Sequence, residues 1–124
     1  MITSTDILEK LAIFQPQQKE GIIEVNLPLL LDSTGECITL DICPAPEGFI
    51  ISDGGYTFEK YNDPAQKYFT HFRSAQPAAC ENIRLNGEEL YATYANDASL
   101  TVALSEFTKF LLALDRFLLQ SEKR

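Results

Sequence analysis

From Ala98 to Gln120 the chain carries apolar residues around most of a helical circumference, and such a helix needs neighbours on more than one side. Leu100, Leu104, Phe107, Leu111, Leu114 and Leu118 step by four and three residues and predict a core seam. Phe110, Leu112, Phe117 and Leu119 widen the apolar arc beyond one stripe. Asp97 is the expected cap, and Lys123 and Arg124 fall at the negative end of the helix dipole. A sheet covers one side of a helix like this. The remainder, Leu112 and Leu119 at heptad spacing, is expected to form a patch with two alternative covers: a second copy of the chain, making a homodimer, or the N-terminal helix of the same chain.

Upstream the periodicity is mixed. Thr5 to Phe14 reads as a helix, with Asp6 and Glu9 at capping-box spacing and Ile7, Leu8, Leu11 and Phe14 on one stripe; Pro16 ends it. Ile23, Val25, Leu27, Leu29 and Leu31 then recur with period two, and Pro28 makes this an edge strand, bent or bulged at the proline. Ile38, Leu40 and Ile42 alternate in a second strand, a turn follows over Pro44 to Gly48, and Phe49 to Asp53 is a third strand. Short connections make the three an antiparallel meander. Tyr56 to Tyr61 reads as a helical turn, and Asp63 as the cap of a helix with Pro64 at its first position. Asn86-Gly87 between Ile83–Leu85 and Leu90–Tyr94 predicts a hairpin with a type I′ turn. The expected fold is therefore one α+β domain over residues 1–124: an antiparallel sheet, meander plus hairpin, packed against an N-terminal helix and a long C-terminal helix.

The charge balance narrows the function classes. Eighteen acidic against ten basic residues leave a net charge of −8, which repels a phosphate backbone and an anionic bilayer alike. Direct nucleic-acid or membrane binding is thus disfavoured. Solubility, docking on a basic protein, and mimicry of nucleic-acid charge all remain open as reasons for the acidity. Cys37, Cys43 and Cys80 are odd in number and hold no Cys-x-x-Cys pair, so neither a disulfide scaffold nor a zinc knuckle is expected. No apolar run is long enough to span a bilayer, and the first residues lack the basic and apolar regions of a signal peptide, so the expected compartment is the cytoplasm.

Two phrases carry a family likeness. Ile51-Ser52-Asp53-Gly54-Gly55-Tyr56-Thr57 closes a strand, and Gly87-Glu88-Glu89-Leu90-Tyr91 leads through a hairpin toward the final helix. With strands before the first phrase and a helix after it, this order resembles the bacterial and prophage proteins catalogued as domain of unknown function 1828. The resemblance covers about Ile22 to Gln120 and implies their fold more than any activity. The second acidic position of the family phrase is Gly54 here, so a carboxylate pair at that point would lack one member.

Candidate functional residues follow from these elements. Asp53 ends an apolar strand before two glycines, and its expected role is an Asx-type turn that accepts from Gly55 and Tyr56; paired with Asp41 it would instead offer two carboxylates to a cation or to acid–base chemistry. Tyr56 and Tyr61 belong to an aromatic cluster over residues 56–72 that forms either a lid on the sheet or a partner-binding surface. His71 is the sole histidine, and the residues around Cys80 carry no nucleophile signature. Gly54-Gly55 has no following Lys-Ser/Thr, and no cofactor motif is found. The preferred reading is a non-catalytic protein-interaction module, in its sharper form an acidic inhibitor of a nucleic-acid-binding protein. The alternative is a small metal-dependent hydrolase centred on Asp41 and Asp53. Asp53, Tyr56, Tyr61, Leu112 and Leu119 are the candidate binding residues, and neither catalytic residues nor metal ligands are assigned.

Overall fold

The computed structural model of the protein describes residues 3–59, 61 and 63–122. Lys123 and Arg124, expected at the end of the last helix, lie outside the described residues. Six strands pair into an antiparallel sheet in the order β1-β2-β3-β4-β6-β5. Its strands are β1 (Gln17–Lys19), β2 (Ile22–Leu30), β3 (Cys37–Ala45), β4 (Gly48–Ser52), β5 (Arg84–Asn86) and β6 (Glu89–Ala95). The helices are α1 (Ser4–Lys10), α2 (Ala65–Ala75) and α3 (Leu100–Glu122). The expected α+β class, with a meander, a hairpin and two flanking helices, is what the chain adopts.

Pairing phase follows from the tight turns. Ala45 meets Gly48 across a two-residue turn, so Ala45, Cys43 and Asp41 exchange backbone bonds with β4, while Ile42, Leu40 and Ile38 bond toward β2. Pro28 then falls on the outer side of β2, beyond the reach of β1, where a missing N–H leaves no gap in the ladder. The register shifts between Leu27 and Leu30, as the proline leads one to expect.

One face of the sheet is dry. Ile23, Val25, Ile38, Leu40, Ile42, Phe49, Ile51, Leu90 and Ala92 are buried in a single core with Ile7, Leu11, Phe69, Phe72, Phe107 and Leu114. The other face carries Glu24, Asp41, Ser52 and Tyr91 in one row across four strands. Cover for α3 comes from the sheet and also from α2. The Phe72 ring sits 5.7 Å from Phe110 and 5.3 Å from Phe117, and Phe69 meets Phe110 edge-on at 6.4 Å. At the patch expected from Leu112 and Leu119 both residues are half-buried, and Leu112 packs against the core.

Several local expectations are corrected. Thr3, not Asp6, caps α1, accepting from Asp6 N–H at 3.2 Å while the Asp6 carboxylate accepts from Thr3 N–H at 2.9 Å. The helix ends at Lys10, a 3₁₀ turn covers Ala12–Phe14, and Gln17–Lys19 after Pro16 is a strand. At α2, Pro64 is the cap position and Asp63 makes no cap bond; it pairs with Lys67 at 3.1 Å instead. Ser99 rather than Asp97 caps α3, accepting from Val102 N–H at 3.3 Å. Asn86 is paired with Glu89, so the hairpin turn is Gly87-Glu88 with positive φ at Gly87 alone, a II′ pattern in place of I′.

Candidate functional site

Ser52 and Asp53 end β4 by a substitution of acceptors. Asp53 N–H still donates to Leu90 O at 3.0 Å, so the strand is paired with β6 to this point. Leu90 N–H, however, does not return to the Asp53 carbonyl. It donates to the Asp53 carboxylate at 2.9 Å. The same oxygen accepts from Gly55 N–H at 2.8 Å, and the other accepts from Thr57 N–H at 3.3 Å. Gly54 N–H is taken by Ser52 Oγ at 2.9 Å, and that hydroxyl donates to Glu89 at 2.8 Å. The amides of Gly54, Gly55 and Thr57 thus find side chains, that of Tyr56 turns to the Asp53 carbonyl at 3.5 Å, and the chain leaves the sheet. Gly54 and Gly55 permit this because both have positive φ, 70° and 85°.

The expected Asx-type turn at Asp53 is therefore present at Gly55, but not at Tyr56, whose N–H goes to the Asp53 carbonyl; Leu90 and Thr57 are carboxylate partners that sequence spacing did not reveal. Asp53 is only 3% exposed. Burial pushes its carboxyl above the usual range, against the pull of the Thr57 hydroxyl and of the three backbone donors. Asp41, opposite Ser52, faces the open side of the sheet. Burial raises it too, helped by Glu24, Glu89 and Asp53, while Lys19 draws it down. Strand alternation separates the two carboxylates: Asp41 stands on the wet face and Asp53 is turned into the turn it organises. Among the described residues, no three His, Cys, Asp or Glu side chains converge as metal ligands.

Because β4 leaves after Ser52, the Cys37–Leu40 half of β3 has no neighbour on that side among the described residues. A cleft of about 510 Å³ opens there, between the β3 edge, the Asp53–Glu59 segment and α3. Five carboxylates line it, from Glu24, Glu36, Asp53, Glu59 and Asp115, and no Lys or Arg does among the described residues. Asp115 is a second buried acid, 3% exposed, which accepts from Ser33 N–H at 3.1 Å and from the Ser33 hydroxyl, tying α3 to the β2–β3 turn. Its sequence signal was present: it interrupts the apolar seam of the last helix, where a buried charge implies a partner.

The other candidates are placed as follows. Tyr56 stands at the cleft mouth, 63% exposed. Tyr61 is buried, its ring 5.1 Å from Tyr68, and belongs to the aromatic lid and not to a binding surface. His71 is exposed on α2 with its ring edge-on to Phe117 at 5.2 Å. Cys80 is buried and its thiol is pushed up by burial, the opposite of an activated nucleophile. No helix of the described residues is long and apolar enough to cross a membrane. Comparison with known protein families, with curated proteins and with solved structures finds no match to this chain.

Proposed function

We propose that this chain is a non-catalytic protein-interaction module that docks, through the cleft beside β3, on a basic region of another protein. The observation that carries the reading is the gathering of five carboxylates in one cleft with no cation among its described lining, on a chain of net charge −8. Asp53 and Asp115 hold backbone and Ser33 in place, and Glu24 lies 3.9 Å from the Lys19 ammonium, which leaves Glu36 and Glu59 to meet the partner. Where that partner is itself a nucleic-acid-binding protein, occupancy of its basic surface excludes nucleic acid, and the module acts as an inhibitor.

Pull-down with the wild type and with Glu36→Lys/Glu59→Lys tests this. The expected outcome is a partner retained at low salt by the wild type and lost with the variant. Equal retention by both proteins contradicts the reading. A companion titration of the chain alone against duplex and single-stranded DNA in about 50 mM salt is expected to give no micromolar binding, since phosphate attraction is strongest there.

A further inference from the structure

An unpaired strand edge inside a cleft is a template for another strand. The edge in question is short and its orientation is fixed by the ladder. Asp41 exchanges bonds with Ser52, so by alternation the N–H and C=O groups of Thr39, and of Cys37 beyond it, point away from β2 and into the cleft. Gly54 is the residue that would have answered Thr39 had β4 continued, and its N–H is held by Ser52 Oγ. The other exposed edge of comparable length, the outer side of β2 from Asn26 to Leu30, is closed to a new strand by Pro28 and the adjoining register shift. The β3 edge combines free backbone groups with a built pocket.

We propose that the cleft takes an extended basic segment of the partner protein, which adds as a short strand beside Cys37–Leu40. This rests on the interaction reading above and names its ligand class and geometry. Side chains of an added strand alternate between the two faces. Those turned inward meet Leu31, Ile38 and Leu111, an apolar floor. Those turned outward meet Glu36 and Glu59, with Glu24 already paired to Lys19, and Tyr56 at the mouth offers its ring face to a guanidinium or ammonium group. Alternating apolar and basic residues satisfy both sides. A second copy of this chain, itself at −8, is disfavoured by like charge.

Fluorescence anisotropy with a labelled, end-blocked eight-residue peptide of alternating valine and lysine reads the binding, and amide hydrogen exchange reads the edge. The expected result is saturable binding that protects the Thr39 amide and weakens about tenfold or more in Thr39→Pro, a position whose N–H faces the cleft. Circular dichroism establishes that the variant is folded; should it unfold, protection of Thr39 in the wild type decides alone. A bound peptide that leaves the Thr39 amide exchanging freely overturns strand addition while leaving acidic docking intact. Protection of Thr39 without peptide, together with a dimer by sedimentation, overturns the proposed occupant in favour of a second copy. No binding of the peptide overturns this inference, and the pull-down then decides separately whether the broader reading stands.

Discussion

At the hairpin end of the β3–β4 pair, Ala45 meets Gly48, β6 closes on the far side, and Asn96 N–H reaches back to Glu47 O at 3.0 Å. At the opposite end, β4 stops at Ser52 and β3 continues for four residues without it. The first end tolerates nothing between its strands; the second is held apart by side-chain bonds. Of the two, the second has backbone groups to offer a ligand. The difference teaches that an open sheet edge can be a built feature, maintained by buried acceptors that withdraw the next strand.

The largest expected effect lies at the closed end. A Cβ at Gly48 would stand 1.8 Å from the Tyr94 carbonyl oxygen and 2.9 Å from the Ala95 carbonyl carbon, so Gly48→Ala must separate β4 from β6. A loss of more than about 4 kcal/mol, or failure to fold, is expected by urea denaturation. A loss below about 1 kcal/mol would mean that the two ends are not so differently packed.

Asp53 carries the open end. Asp53→Ala removes the acceptor from Gly55, Thr57 and Leu90 N–H groups and is expected to cost about 3 kcal/mol. Asp53→Asn keeps an oxygen for Gly55 and Leu90 but sets an amide donor against Thr57 N–H, for about 1 kcal/mol. Equal losses in the two variants would show that charge, not acceptor geometry, holds the turn.

Asp41 sharpens the comparison through pH. Its folded value lies above the usual 3.8, so the unfolded chain releases the proton first as pH rises. The stabilising contribution is complete below the unfolded value and is lost as pH climbs through the folded one. Asp41→Asn removes this loss. Its stability relative to the wild type is expected to improve between about pH 4 and pH 7, measured by denaturation at each pH. A constant difference would mean that Asp41 titrates alike folded and unfolded.

The smallest effect belongs to the free edge itself. Cys37 is exposed and its backbone bonds nothing on the cleft side, so Cys37→Ser is expected to change stability by less than about 0.5 kcal/mol. A larger loss by the same measurement would reveal packing at an edge that should be open.

Local pattern was enough for most elements, though not for β1, whose Gln17–Lys19 carries no apolar period. Period two placed β2 and β3, an apolar run between turns placed β4, the four-three seam placed α3, and Pro28 announced the bulge, because each of these rests on near neighbours in the chain. β2 was expected at the edge of the sheet, but β1 pairs along its first residues. Glycines marked the turns. Caps were misplaced by residues at Thr3, Pro64 and Ser99, where several polar residues compete and only the surrounding packing selects one. What lay beyond the sequence was every bond between distant segments: Asp53 with Leu90, Ser52 with Glu89, Asp115 with Ser33. Those pairs are separated by 37, 37 and 82 residues, and no periodicity links them. Asp53 was legible as a turn former, since its nearest partner is two residues away. That the same carboxylate releases β3 from β4, and so makes a cleft, depended on where β6 lay beside it. Hydrophobic period decides which residues face inward; only the assembled sheet decides which of its edges is left without a neighbour.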